Sequence, residues 1–91
     1  MRLAWTHSAS ADLHRIHRFL SAYSVRGATE RIRRIRAGAL HLEEMPRMGA
    51  RVESIAEPET RRIFVADYEV RYEIVGEQVT ILPIFHTREN R

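Results

Sequence analysis

The stretch RRIFVADYEVRYEIVGEQVTILPIFH, Arg61 to His86, decides the fold. Tyr68, Val70, Tyr72 and Ile74 alternate with Glu69, Arg71 and Glu73, which is the period of a strand with one buried face. Arg61 to Val65 reads as the strand before it. Val79 to Phe85, a nearly unbroken apolar run of strand length, reads as the strand after it. Ala66 and Asp67 make the first turn, and Gly76 marks a hairpin turn within Val75 to Gln78. Three consecutive strands with short turns form an antiparallel meander.

Upstream of the meander the period changes from two to between three and four. Leu13, Ile16, Leu20 and Tyr23 share one face of an amphipathic helix over roughly 8 to 23, capped by Ser8, with Asp12 in an early turn complementing the helix dipole. After a break at Ser24 to Gly27, the residues Ala28, Ile32, Ile35, Ala39 and Leu42 mark a second helix that ends before Pro46. The link between them is short, so the helices lie antiparallel with both apolar stripes turned the same way. Residues 45–59, with Pro46, Gly49 and Pro58, read as a loop pinned by Val52 and Ile55. At the N-terminus Leu3 and Trp5 alternate with Arg2, Ala4 and Thr6 as a short strand that can join the sheet at an edge. The predicted fold is α+β in the order β-α-α-β-β-β, an antiparallel sheet with an α-helical hairpin packed on one face.

With 91 residues the chain has room for one domain, and 44% hydrophobic content supplies its core. It has no Cys, which removes disulfides and thiolate metal sites and agrees with a reducing cytoplasm. No apolar run reaches the roughly 18 residues of a membrane span, and no signal-peptide pattern opens the chain, so a cytoplasmic protein without a membrane partner is expected. All fifteen basic residues are Arg, giving a net charge of +3 and a pI near 10.2. Arg pairs bidentately with carboxylate and phosphate, so an anionic partner is plausible, although a composition bias explains the same count.

No Gly-rich phosphate loop, nucleophile elbow or metalloprotease helix is present, and no cofactor is predicted. His14 and His17 lie one helical turn apart with His7 nearby, a spacing that reads as solvated histidines rather than a metal site. Arg26, Arg31, Arg33, Arg34 and Arg36 crowd the second helix beside Glu30; without interleaved aromatic residues they read as a solvated face before a phosphate-binding one. On the sheet, inward Ile63 and Val65 send Arg62 outward, and inward Tyr68, Val70, Tyr72 and Ile74 send Glu69, Arg71 and Glu73 outward. His86 joins them if Ile81 and Phe85 point inward, a register that the doubly apolar last strand leaves open. Two arginines with a His and a carboxylate are the minimum set for cleaving RNA through its own 2′-OH, and cross-strand ion pairs account for the same residues without catalysis. The last strand is apolar on both sides while helices cover one. Its second side therefore needs a partner, or else shielding by the loop at 46–59 or by the chain ends.

From Trp5 to Ile16, with Ala11, Asp12 and Leu13, and from Arg62 through Tyr68, Tyr72, Gly76, Val79, Ile81, Leu82 and His86 to Arg88, the chain resembles the RelE/ParE superfamily of bacterial toxins. The resemblance implies the toxin of a type II toxin–antitoxin, or plasmid stabilisation, pair. Its tight partner is then a cognate antitoxin lying on the groove and sheet, over Phe64, Leu82 and Ile84, and operator DNA is reached only through that antitoxin. The terminal run His86 to Glu89 is similar to the ParE-like branch, which implies poisoning of DNA gyrase through protein contacts, with Arg33, Arg34, Arg88 and Arg91 as recognition groups and no enzyme activity. The RelE-like branch implies instead a ribosome-dependent mRNA endonuclease, in which Arg62 and Arg71 stabilise the scissile phosphate and His86 acts as acid or base. A binding module of the same fold without toxicity is the third reading.

Overall fold

A computed structural model describes residues 1–88. In chain order it contains β1 (Arg2–Trp5), α1 (His7–Ser21), α2 (Val25–His41), β2 (Ala50–Arg51), β3 (Glu59–Val65), β4 (Tyr68–Val75) and β5 (Gln78–His86). The strands form one sheet in the order β1-β5-β4-β3-β2. The predicted meander is its centre, and β1 runs parallel to β5 at one edge. The two-residue strand β2, which pairs with Arg61 and Arg62 at the other edge, lies inside the stretch expected to be loop.

Helix α1 begins one residue earlier than expected because Thr6, not Ser8, caps it. The Thr6 hydroxyl accepts from Ala9 N–H at 3.0 Å and donates to the Ile81 carbonyl, so one side chain closes the helix end and joins it to β5. The helix stops at Ser21, which leaves Tyr23 outside it and 80% exposed rather than in the stripe. Ser24 caps α2 through Gly27 N–H at 3.0 Å, so Gly27 stands in the first helical turn and not in a break. Between β3 and β4, Ala66 and Asp67 both take positive φ, 51° and 72°, the conformation whose twist suits a two-residue hairpin.

The core lies between the helices and one face of the sheet. Leu13 and Ile16 of α1, Ile35 and Ala39 of α2, Val70 and Tyr72 of β4, and Val79 and Ile81 of β5 are buried in it. Each large aliphatic side chain buried this way contributes roughly 1.5–3 kcal/mol, an upper figure because unfolded chains already bury some of that surface. Tyr72 also has a polar task. Its hydroxyl donates to the Pro46 carbonyl at 2.7 Å and accepts from Gly49 N–H at 3.0 Å, which fastens the loop after α2 to the sheet. Burial raises the Tyr72 phenol above its ordinary pKa, which keeps it in its proton-donating form.

Candidate functional site

Register along β4 and β5 decides which side chains meet. Tyr72 pairs with Ile81, yet Val70 pairs with Ile84, so Arg71 faces the extra residue of a β-bulge at Leu82–Pro83. The bulge reverses the side-chain phase of β5. Before it Val79 and Ile81 face the helices; after it Ile84 and His86 do, and Phe85 turns to the open face opposite Glu69. Neither single register of the last strand describes it.

β1 ends opposite Ile81, so on the side away from β4 no strand among the described residues lies beside Ile84. Its N–H is taken instead by the Asp12 carboxylate of α1 at 2.9 Å, so Asp12 serves the bulge and not the first helical turn. The phase change corrects two expectations. Ile84 is 1% exposed and belongs to the core, so it offers no surface to an antitoxin, whereas Leu82 is half-buried and Phe64 is 59% exposed. His86 is also separated from Arg62 and Arg71, because two residues rather than one stand between Ile81 and its inward successor Ile84, which sends it to the helix side.

On the open face Arg62 and Arg71 are register partners on β3 and β4. Both turn to Glu69, which is fully buried: Arg71 Nε donates to Glu69 Oε2 at 2.7 Å, and Arg62 Nη1 lies 3.7 Å from the same oxygen. Arg62 also sits over the Phe64 ring, 5.6 Å from its centroid. The carboxylate separates two like charges that would otherwise face each other across the strands. Read as ion pairing, the cluster explains its own residues.

On the helix side the His86 ring meets Tyr68 edge to face, with centroids 5.2 Å apart, and its Nδ1 accepts from Arg88 N–H at 3.1 Å. Together with Arg15, Ile16 and Phe19 of α1 these rings line a cavity of about 360 Å³. Sequence reasoning missed this cavity, because it depends on His86 facing inward. It also missed the burial of Glu69, for which an acidic residue between two apolar ones on a strand gives no signal.

Of the remaining predicted residues that the structure describes, Arg88 reaches His86 through its main chain and the others lie apart from both clusters. Arg33 and Arg34 are exposed on α2, with Arg33 held by Glu30 at 2.6 Å, and this pair draws the Glu30 carboxyl below its ordinary pKa. Arg88 is exposed after β5, and Arg91 lies outside the described residues. His17 is occupied by Thr29 Oγ1 at 3.1 Å and Ser21 Oγ at 3.4 Å, while His14 is exposed.

Comparison with known proteins settles what this architecture belongs to. The profile of the family described as ParE toxin of type II toxin-antitoxin system, parDE, matches residues 3–91. The chain belongs to the ParE toxin family. It is therefore the toxin type of a two-component system and falls on the ParE side of the RelE/ParE division. Among solved structures, the chromosomal ParDE TA system from P. aeruginosa matches with a TM-score of 0.77 at 22% identity, over 94% of this chain and 95% of that one. At that identity the likeness bears on the fold, which this ParE-family chain shares. No curated protein sequence matches it.

Proposed function

We propose that this ParE-family toxin arrests growth by binding DNA gyrase through protein contacts, performs no catalysis of its own, and is neutralised by a cognate antitoxin. The observation that carries the non-catalytic part is the separation of His86 from Arg62 and Arg71. The two arginines are spent on Glu69 on one side of the sheet, while the imidazole packs on Tyr68 on the other, so a phosphodiester held by the arginines has no imidazole beside it among the described residues. Family membership supports the target, and the antitoxin follows from the two-component system to which the family belongs.

In this reading the exposed Arg33 and Arg34 of α2 and Arg88 and Arg91 at the C-terminal end recognise the target. Phe64 and Leu82 on the open face meet the antitoxin, which carries the complex to operator DNA. Expression of the toxin alone tests the proposal. DNA supercoiling by gyrase should fail while mRNA stays intact, and purified toxin should inhibit gyrase in a plasmid supercoiling assay. Early mRNA fragmentation with gyrase unaffected would overturn it in favour of a ribosome-dependent nuclease. Among the described residues no helix is long and apolar enough to cross a membrane.

A further inference from the structure

The turn between the two helices carries apolar surface that the fold leaves outside. Phe19 and Val25 are 62% and 64% exposed and Tyr23 is 80% exposed, all on one short stretch of chain. Leu13, Ile16 and Leu20 are the α1 residues packed in or against the core, so Phe19 and Tyr23 stand off that stripe. Their rings meet edge to face with centroids 5.8 Å apart. Single exposed apolar residues are ordinary on a surface, whereas a contiguous group marks a contact site. The backbone beneath the rings is fixed. Tyr23 N–H and Ser24 N–H both donate to the Leu20 carbonyl, at 2.9 and 3.0 Å, and Ser24 caps α2. Binding through this pair therefore has no loop to order.

The ring pair forms a ridge between two hollows. Phe19 lines the 360 Å³ cavity with Ile16 and Tyr68, and Tyr23 lines a second of about 180 Å³ with Leu20, Gly27 and Ala28. Around the ridge the charge is positive. Arg15 and Arg31 are paired with Asp12 and Asp67 at 3.4 and 3.7 Å, whereas the exposed Arg18 and Arg26 have no carboxylate within salt-bridge reach among the described residues. From Arg26 the same face of α2 continues, two helical turns on, to Arg33 and Arg34. Aromatic residues ringed by arginine are the composition of an interface centre.

We infer that the tip of the helical hairpin is where this toxin grips its target: the Phe19–Tyr23 ridge and Val25 enter an apolar recess on gyrase, and carboxylates at the rim of that recess pair with Arg18 and Arg26. The positive rim selects a partner surface of opposite sign. It disfavours a second copy, which would bring the same arginines to a tip-to-tip contact. Two further features commit the tip to the target. It is continuous with the α2 face that carries Arg33 and Arg34, and it belongs to the helix layer, away from the open face of Phe64 and Leu82. The inference rests on the gyrase target proposed above and specifies its anchor, with the rings supplying affinity and the arginines of α2 lying around them.

Inhibition of plasmid supercoiling by purified gyrase, measured on the full-length toxin beside its affinity for the antitoxin encoded next to it, tests the inference. Tyr23→Ser and Phe19→Ala should each raise the half-inhibitory toxin concentration at least about tenfold, while antitoxin affinity stays nearly unchanged. Arg18→Glu combined with Arg26→Glu should weaken inhibition about tenfold or more and flatten its dependence on salt. Ring variants that inhibit as well as the wild type would overturn the inference and leave gyrase standing as the target. Ring variants that lose the antitoxin yet still inhibit, or a toxin dimer that Tyr23→Ser dissociates, would also overturn it, because the tip then has another occupant. A wild-type toxin without effect on gyrase would overturn the proposed target, and this inference with it. Tyr23 lies outside the core, so Tyr23→Ser should keep the wild-type melting temperature, and the test does not depend on Phe19→Ala folding.

Discussion

Asp12 carries more of this structure than its place on an exposed helix turn implies. It supplies the acceptor that a strand would have supplied to Ile84 N–H, and without it a half-buried donor stands unpaired where β5 changes phase. Asp12→Ala should cost about 1–3 kcal/mol in chemical denaturation, and Asp12→Asn, which keeps an acceptor, distinctly less. Glu69 is the second such residue. Glu69→Ala leaves Arg62 and Arg71 opposed and should cost about 2 kcal/mol, less than for a deeply buried pair because both guanidiniums keep part of their solvent. Glu59 sets a pH dependence. The Arg61 guanidinium, and next to it Arg47, holds its carboxyl below the ordinary 4.5. A depressed carboxylate contributes stability that is present above its unfolded pKa and lost as pH falls through the folded value. The melting temperature of the wild type should thus exceed that of Glu59→Gln at neutral pH, and the gap should close on acidification below that range.

At the scale of elements, the hairpin between β3 and β4 and the loop ahead of β2 make opposite demands on their small residues. Ala66 holds φ of 51° and pays for its Cβ there, so Ala66→Gly should raise stability, by about 1 kcal/mol less the entropy that Gly loses on folding. Gly49 has no room for a Cβ, which would stand 2.5 Å from the Arg62 carbonyl and 2.7 Å from the Tyr72 hydroxyl. Gly49→Ala should therefore cost about 3 kcal/mol and detach β2, read as faster amide exchange at Val52. Both helices and the meander were legible from periodicity, because helical and strand patterns differ over the length of an element. The caps and β2 were not: Thr6 and Ser8 are equally good cap residues, and two residues of strand are too few to show a period.

For the molecule as a whole, the sheet divides function into two sides. The helix side buries Ile84 and sets His86 in the cavity with Arg15 and Phe19, while the open side carries Phe64, Leu82 and the Arg62–Glu69–Arg71 cluster. His86→Ala separates the two readings of toxicity. Growth arrest on induction should persist within a few-fold, with a small loss of stability from the Tyr68 packing of about 1 kcal/mol. Abolished arrest in a variant that still folds would instead assign His86 to chemistry.

The order of the elements, the helical hairpin on one face and the general membership of the fold follow from the sequence, because each rests on a repeat carried by many residues at once. Which side chains share a face of β5 was decided by tertiary structure. The bulge at Leu82–Pro83 shifts the phase, and the Ile84 N–H just after it, past the end of β1, is taken by Asp12 from α1. That single insertion inverts everything after it, so Ile84 and His86 changed sides although no local pattern at either residue marks the change.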